Sequence, residues 1–240
     1  MEFDVFKERF NYYLKEMDIV LNENQFKQFY DYMNLLIDWN EKMNLTAIVE
    51  PEEIILKHFI DSVIISKYIK DGAALIDVGT GAGFPGIPLK ILREDMSVVL
   101  LDSLNKRINF LNEVISCLKL GDIKAYHGRA EEFASDSDYR EKFDIAISRA
   151  VANMSTLSEY LLPFVKIGGM DISMKGFEIK EELDNAKNAI STFGGKIVES
   201  TQYILPNSDI NRSIVVIEKK KYTPKCFPRK AGMPAKEPIV

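Results

Sequence analysis

The amino-acid sequence predicts an α/β fold in which helices cover a mostly parallel sheet on both faces. From Ala73 onward, short apolar segments of strand length alternate with amphipathic segments of helix length, and this alternation is typical of parallel sheets. The last two apolar segments are joined only by "PNSDIN", a connection that favours an antiparallel hairpin at the end of the sheet. We therefore predict a mostly parallel domain over residues 71–220 with a terminal hairpin.

Residues 1–70 predict a helical N-terminal extension. Three segments repeat apolar residues every three or four positions, so each has one apolar stripe; they run from Phe3 to Met17, Phe26 to Ile37 and Ile54 to Tyr68. Asn22 followed by Gln25 predicts a capping box, and Pro51 suits the first turn of the third helix. Between the second and third helices, "WNEKMNLTAI" breaks the pattern and predicts a turn that can face a ligand.

The seven strands of the domain follow in order. They are predicted at "ALIDVG", "SVVLLDS", "IKAYHG", "FDIAISRA", "GGMDISMKG", "KIVESTQYIL" and "RSIVVIEKK". Helices are predicted near 86–93, 105–118, 155–165 and 178–192, and a linking segment follows the third strand. Asp171 opens the fifth strand in this interpretation; because aspartate is a poor strand former, the start of that strand is left open.

Composition and charge narrow the class of protein. No apolar run approaches the roughly 18 to 20 residues of a membrane span, so among the 240 residues we expect a soluble, cytoplasmic protein with no membrane partner. Cys117 and Cys226 lie far apart without metal-ligand spacing, which predicts no metal or redox site. The net charge of −5 argues against a surface that is basic throughout, but residues 221–240 form a basic, Pro-rich C-terminal arm.

A glycine loop and an aspartate follow the first two strands. Gly79, Gly81 and Gly83 follow the first strand, but Phe84 replaces the last glycine of a dinucleotide fingerprint, and no P-loop Gly-Lys-Ser/Thr occurs. The Asp-x-Gly-x-Gly-x-Gly spacing resembles the first motif of class I S-adenosylmethionine-dependent methyltransferases. Asp102 ends the second strand, where a carboxylate can accept hydrogen bonds from both ribose hydroxyls; a helix N-cap is its alternative and compatible role.

Further motifs match one family closely. "DVGTGAGFPGIPL", "LLDSLNKRINFL", "GRAEEF", "ISRAV", "MKG", "PRKAGMPAKEPI", "NLTAI" and "HFIDS" resemble the bacterial ribosomal small-subunit methyltransferase G family over nearly the whole chain. The resemblance implies a Rossmann-like, seven-stranded class I fold and methyl transfer from S-adenosylmethionine to N7 of a guanine in 16S ribosomal RNA. It implies cofactor contacts at Gly79, Gly81, Phe84, Asp102, Ser103, Leu104, Ala130, Glu131 and Arg149.

Residue chemistry agrees with an N7 acceptor. Methylation of a pyrimidine carbon needs a cysteine nucleophile, but Cys117 lies in a predicted helix and Cys226 in the arm. Guanine N7 carries a lone pair and no proton, so we expect no general base, and the catalytic residues stay unassigned. His58 and Asp61, one turn apart on the third helix, form either a pair facing the cofactor or a structural pair.

RNA contacts are expected at three cations: Lys175 at the carboxyl end of the fifth strand, and Arg229 and Lys230 in the arm. The partner is 16S ribosomal RNA, free or within the small subunit, and no obligate protein partner is evident. Two rivals stay open. One is a class I methyltransferase with a small-molecule or protein acceptor, and the other is an RNA-binding assembly factor with a vestigial cofactor pocket.

Overall fold

A seven-stranded mixed sheet forms the centre of the protein. The computed structural model describes residues 1–240. The strands are β1 Ala74–Val78, β2 Ser97–Asp102, β3 Ile123–His127, β4 Phe143–Arg149, β5 Val165–Lys175, β6 Gly195–Ile204 and β7 Asn211–Lys219. They lie in the order β3-β2-β1-β4-β5-β7-β6. The first five pair in parallel, and β7 runs antiparallel to both β5 and β6, so the predicted sheet and terminal hairpin are confirmed.

Three helical segments precede the sheet. They are α1 Phe3–Lys15, α2 Glu23–Met43 and α3, which begins as α-helix Pro51–Ile54, widens into the π-helical turn Ile55–Ile60, continues as Asp61–Val63 and ends in the 3-10 turn Ile64–Tyr68. The capping box at Asn22 is present, with Gln25 N–H 2.9 Å from the Asn22 Oδ1. Pro51 occupies the first turn of α3 as predicted.

Six more helices follow β1 along the chain. They are α4 Gly86–Leu92, α5 Asn105–Cys117, α6 Ala130–Phe133, α7 Met154–Leu161, α8 Lys180–Thr192 and α9 Met233–Lys236. Four agree with the predicted helices to within a few residues, although α7 ends earlier because a 3-10 turn, Leu162–Phe164, takes over. The short α6 lies in the predicted linking segment. No helix in residues 1–240 combines the length and the apolar composition that a bilayer crossing requires.

Two hydrophobic cores fill the two faces of the sheet. On one face, α1 to α5 pack against strand residues such as Leu75, Leu100 and Ile147 in a single buried cluster. On the other face, α7 and α8 pack against residues such as Ala146 and Val215. The N-terminal helices therefore share one core with the sheet, and burial of this apolar surface holds them against it.

Residues 221–240 lie against the domain. The Arg229 guanidinium donates to both carboxylate oxygens of Glu159 on α7, with Nε 3.0 Å from Oε1 and Nη2 2.6 Å from Oε2, and Glu159 is only 1 % exposed. The hydroxyl of Thr156 donates to the Pro234 carbonyl at 3.0 Å. Because a buried carboxylate needs a partner, this pairing ties the segment to α7.

Asp171 lies in the middle of β5, which begins six residues earlier, at Val165. Its carboxyl group is fully buried; Oδ1 accepts a hydrogen bond from the Ser173 hydroxyl at 2.8 Å, and Oδ2 has no partner. Burial raises the pKa of Asp171 to about 7, although the Ser173 hydrogen bond lowers it. The strand therefore contains a carboxyl group that is costly to ionise.

We expect Asp171→Asn to stabilise the protein by an amount that grows as the pH rises from about 4 to about 7. Over this window the unfolded chain has released its proton while the folded state retains it, so the free energy of unfolding of the unsubstituted protein falls with pH. Thermal unfolding of both proteins at about pH 5 and about pH 8 measures the difference.

Asp144→Asn is the matched control on the neighbouring strand. Burial raises the pKa of Asp144, but hydrogen bonds from Lys166 and the Ala74 N–H outweigh it and lower the pKa overall. Its ionised form stabilises the fold, so this substitution should destabilise the protein at neutral pH. A pH-independent difference for Asp171→Asn would contradict the account of its burial.

Candidate active site

Two connected depressions lie at the carboxyl ends of β1, β2 and β3. The larger, the Gly81 cavity, has a volume of about 450 Å³ and includes Thr46 and His58 from the N-terminal extension. The smaller, the Glu131 cleft, has a volume of about 90 Å³ and includes Tyr160. They share Gly79, Asp102, Ser103 and Val151. Ligands bind at this edge of open α/β sheets; that the cofactor binds here stays a prediction.

Asp77, near the end of β1, holds the glycine loop in place through hydrogen bonds. Its Oδ2 accepts hydrogen bonds from the Thr80 hydroxyl at 2.7 Å and from the Gly86 N–H at 2.8 Å. Burial raises the pKa of Asp77 to about 6, although both hydrogen bonds lower it. The carboxylate thus joins the start of the loop to the first turn of α4 and lies beneath the loop, away from the cavity lining.

The three loop glycines have different reasons to be glycine. All have positive φ angles, +71° at Gly79, +62° at Gly81 and +98° at Gly83, a region that other residues adopt at a cost. A Cβ at Gly79 would lie 2.6 Å from Val151, and one at Gly83 would lie 2.7 Å from the Tyr32 hydroxyl. A Cβ at Gly81 would meet nothing within 4 Å, so Gly81 borders the open space where a ligand can approach the backbone.

Asp102 organises the turn after β2. Its Oδ2 accepts from the Gly81 N–H at 2.9 Å and from Arg107 Nη1 at 3.0 Å, while Oδ1 accepts from the Leu104 N–H at 2.9 Å. The N-cap of α5 is Leu104, which has no side-chain cap, so the alternative N-cap role of Asp102 is wrong: its carboxylate accepts from the N-cap residue's own N–H. The same carboxylate borders both depressions. A ribose diol at this carboxylate would compete with the Arg107 side chain, which is about one-third exposed.

Eight of the nine predicted cofactor residues line one or both depressions: Gly79, Gly81, Phe84, Asp102, Ser103, Ala130, Glu131 and Arg149. Leu104 lines neither depression. It is 42 % exposed, and its N–H donates a hydrogen bond to the Asp102 carboxylate. The buried Glu131 accepts a hydrogen bond from the Gly232 N–H at 2.8 Å. The C-terminal segment thus reaches the wall of the Glu131 cleft.

Arg149 connects β4 to α3. Nη1 donates to the Lys57 carbonyl and to Asp61 Oδ2, both at 3.1 Å, and Nη2 donates to His58 Nδ1 at 3.0 Å. His58 and Asp61 are thus joined through Arg149. A guanidinium has five N–H donors, so Nε and one proton on Nη2 remain without a partner in the fold, and Arg149 lines the Gly81 cavity.

His58 is held neutral. Arg149 can only donate, so Nδ1 accepts and Nε2 carries the proton, which it donates to the Thr46 hydroxyl at 3.0 Å. Burial, followed by the positive charge of Arg149, lowers the pKa of His58 to about 3. The ring also stacks on Phe84, with centroids 4.3 Å apart. With both nitrogens engaged, His58 does not offer the cavity a proton acceptor.

The three predicted RNA-binding cations have different surroundings. Lys175 Nζ lies 2.6 Å from both the Ala152 carbonyl and Glu182 Oε1, and lines a separate cavity beside Arg149. Arg229 pairs with Glu159 as described, and Lys230 is exposed. Their contact with RNA stays a prediction.

Sequence reasoning missed two residues that shape the site. Tyr32 on α2 is fully buried, donates its hydroxyl to the Ala82 carbonyl in the glycine loop and stacks on Phe84 with centroids 5.3 Å apart. Tyr32 belongs to an apolar stripe, but the period does not say which carbonyl a buried hydroxyl meets. Arg107 is the arginine of the "KR" pair that follows Asp102. Its pairing with the Asp102 carboxylate was not predicted.

The chain is similar to a known family and to known proteins. Residues 25–210 match a family described as rRNA small subunit methyltransferase G. The chain is 52% identical over 227 residues to a "Ribosomal RNA small subunit methyltransferase G" of Alkaliphilus metalliredigens, covering 94% of this chain and 95% of that protein. It is 56% identical over 220 residues to the protein of the same name from Acetivibrio thermocellus, covering 91% and 90%.

Solved structures support the fold assignment. A SAM-dependent methyltransferase from Aquifex aeolicus superposes with a TM-score of 0.54 at 16% identity, covering 76% of this chain and 98% of that one. A ribosomal protein L11 methylase from Lactobacillus delbrueckii subsp. bulgaricus superposes with a TM-score of 0.52 at 18% identity, covering 68% and 78%. At these identities the similarity establishes the fold only.

We expect Gly81→Ala to weaken S-adenosylmethionine binding at least tenfold while lowering the free energy of unfolding by only about 1 to 2 kcal/mol. The alanine must keep the positive φ of Gly81, and its Cβ projects into the open cavity. Gly83→Ala is the comparison, because its Cβ would meet packed side chains and should destabilise the fold more. Calorimetric titration and thermal unfolding measure the two effects; unchanged affinity in Gly81→Ala would place the ligand elsewhere.

We expect Asp102→Ala to weaken cofactor binding by about 1.5 to 3 kcal/mol, the range for hydrogen bonds to a charged group. Arg107→Gln is the matched control, because it removes a competing donor from the same carboxylate and should leave affinity unchanged or raise it. Calorimetry on both variants, checked for folding by circular dichroism, measures this. Equal losses in both variants would mean that the ion pair, and not the carboxylate alone, holds the ligand.

Proposed function

The chain belongs to the rRNA small subunit methyltransferase G family, and on that premise we propose that it transfers a methyl group from S-adenosylmethionine to N7 of one guanine in 16S ribosomal RNA. The observation that carries the chemistry is the state of His58, a buried neutral histidine with both nitrogens engaged. His58 therefore offers no general base, which favours an acceptor atom that needs no deprotonation. Guanine N7 is such an atom.

The residues at the sheet edge fit the cofactor. Open space stands over the Gly81 backbone, and the Asp102 carboxylate lies between the two depressions. Asp102 would hold the ribose, and Ala130, Glu131 and Tyr160 would surround the adenine. The remaining N–H groups of Arg149 can meet the carboxylate of the methionine portion, because guanidinium groups bind carboxylates well.

When bound, S-adenosylmethionine supplies an electrophilic methyl group: the N7 lone pair forms the new N–C bond, the C–S bond breaks, and its electron pair stays on sulfur. The protein contributes alignment and exclusion of water, and such positioning supplies up to about 7 to 11 kcal/mol in favourable intramolecular cases. Phe84 and Val151 give the Gly81 cavity part of its apolar lining. The positions of reacting groups are therefore set by packing, without a proton relay.

The RNA contacts that we propose are on two sides of the site. Lys175 lies beside Arg149, whereas Lys230 and the backbone of the C-terminal segment lie on the Glu131 side. Arg229 can contact RNA only if its pairing with Glu159 breaks. Among these cations, Lys230 is therefore the most available for contact with RNA. We propose 16S ribosomal RNA in the small subunit as the substrate, in the cytoplasm, without an obligate protein partner.

The three parts of the chain then have separate tasks. Residues 1–70 support the glycine loop and provide His58, residues 71–220 bind the cofactor, and residues 221–240 extend the surface toward RNA. Tyr32 supports the first assignment through its contact with Ala82. Gly232 links the third part to the cofactor-binding wall.

We expect tritium from methyl-labelled S-adenosylmethionine to enter 16S ribosomal RNA taken from cells that lack this modification, and to appear as 7-methylguanosine after nuclease digestion. Free 16S RNA and intact small subunits are compared in parallel, with Asp102→Ala as the control that should label RNA less at a limiting cofactor concentration. Label in protein or small molecules instead would support the rival acceptors. Cofactor binding by calorimetry without transfer to any acceptor would support the assembly-factor rival.

A further inference from the structure

A third cavity, the Lys175 cavity, lies on the β5 side of Arg149. Its volume is about 330 Å³, within the range of small-ligand sites. It shares Arg149, His58 and Ala150 with the Gly81 cavity, so the two spaces meet at the Arg149 side chain. Lys57 and Asp61 from α3, Met174 from β5 and Arg212 from β7 complete most of its wall.

The order of the strands gives this cavity its place relative to the cofactor. The Glu131 cleft lies toward β3, the Gly81 cavity toward β1, and the Lys175 cavity toward β5 and β7. Adenosine held by Asp102 and Glu131 would direct the rest of the cofactor, with its sulfonium methyl group, into the Gly81 cavity beside Arg149. An acceptor must approach the methyl carbon from the side opposite sulfur, and the Lys175 cavity adjoins the Gly81 cavity at Arg149.

The inner wall contains one buried carboxylate. Asp61 is 2 % exposed; Oδ1 accepts from the Tyr203 hydroxyl and Oδ2 from Arg149, both at 3.1 Å. A carboxylate has about four acceptor positions, so each oxygen keeps capacity for a further donor. Guanine carries donors on N1 and N2, and Ile48 and Met174 provide apolar surface for its ring. Methylation at N7 leaves the base positively charged, which a neighbouring carboxylate favours.

At the mouth of the Lys175 cavity, Arg212 is a cation with few hydrogen-bond partners. Arg212 is about one-third exposed; its Nη1 donates to the Asn211 carbonyl, and its Nε lies 3.8 Å from Asp61 Oδ2, beyond hydrogen-bond distance. The other three cations of the wall each lie closer to a carboxylate: Lys57 is 2.5 Å from Glu53, Arg149 is 3.1 Å from Asp61, and Lys175 is 2.6 Å from Glu182. Arg212 therefore has donors to offer a phosphate.

We propose that the Lys175 cavity receives the target guanine nucleotide, with the base beside Asp61 and the phosphate held at the mouth by Arg212. The inference rests on the proposed function and adds the place and orientation of the acceptor. A cavity of this volume suits one nucleotide and excludes a stacked helix, so the nucleotide must leave its stack to enter. Arg212 is then a contact to the RNA backbone, separate from the groups that hold the cofactor.

The test uses Arg212→Gln, Arg212→Lys and the control Arg9→Gln in the full chain. Arg9 makes the same kind of contact, with Nε 3.8 Å from Glu52 Oε1, but does not line the cavity. A phosphate contact made equally before and during the reaction raises KM and leaves kcat unchanged. We expect Arg212→Gln to raise the KM for unmethylated small subunits about tenfold, and Arg212→Lys to recover most of this loss.

Two further measurements separate the possible roles. RNA binding across a salt series should lose about 0.7 from its log–log slope in Arg212→Gln, the value for one phosphate of a single strand, and nothing in Arg9→Gln. Calorimetry should show the same S-adenosylmethionine affinity in all variants. Thermal unfolding of the variants checks that the fold is intact.

Three results decide the outcome. If Arg212→Gln loses affinity for S-adenosylmethionine instead, the cavity holds the carboxylate end of the cofactor, and the inference is overturned. If Arg212→Gln behaves as Arg9→Gln while the unsubstituted protein methylates RNA, the nucleotide enters elsewhere, and the proposed function stands. If the unsubstituted protein labels no RNA, the proposed function itself fails.

Discussion

The packing of the Phe84 ring is the interaction on which the site depends. Phe84 belongs to the glycine loop, but its ring lies against Tyr32 and His58 of the N-terminal extension, with the Arg149 guanidinium 5.1 Å from its centroid. Such aromatic and cation–π contacts have preferred distances and orientations. The loop, the third helix and the end of β4 are therefore positioned by a common side chain, which explains why the extension and the sheet share one core.

This arrangement makes α3 a part of the site. The π-helical turn Ile55–Ile60 contains His58 and is followed at once by Asp61, and both residues reach Arg149. Single π turns in helices often coincide with functional positions. Since the Lys57 carbonyl in the same turn also accepts from Arg149, a shift of α3 would displace the guanidinium and both cavities that it borders.

Features set by local spacing could be predicted from the sequence, and those set by distant partners could not. The strand–helix alternation, the hairpin, the Asn22 capping box and the place of Asp102 at the end of β2 depend on neighbouring residues, whose pattern is visible in the sequence. The pairing of Arg229 with Glu159, 70 residues away, depends on how two distant segments pack. The sequence placed Asp171 at the opening of the fifth strand and left the start open. The strand begins at Val165, which pairs with Phe143 of β4, a partner that the local sequence does not show.

The hydrogen bond between Gly232 and Glu131 spans 101 positions of the chain. During synthesis, helices such as α2 leave the ribosome early, and domains can begin to fold as they emerge. The wall of the Glu131 cleft, however, gains its last support only after residue 232 has emerged. A nascent chain therefore carries an unfinished nucleotide pocket while most of its sheet can already form. Residues up to Gly232 must therefore leave the ribosome before the protein can bind a cofactor with a completed Glu131 cleft.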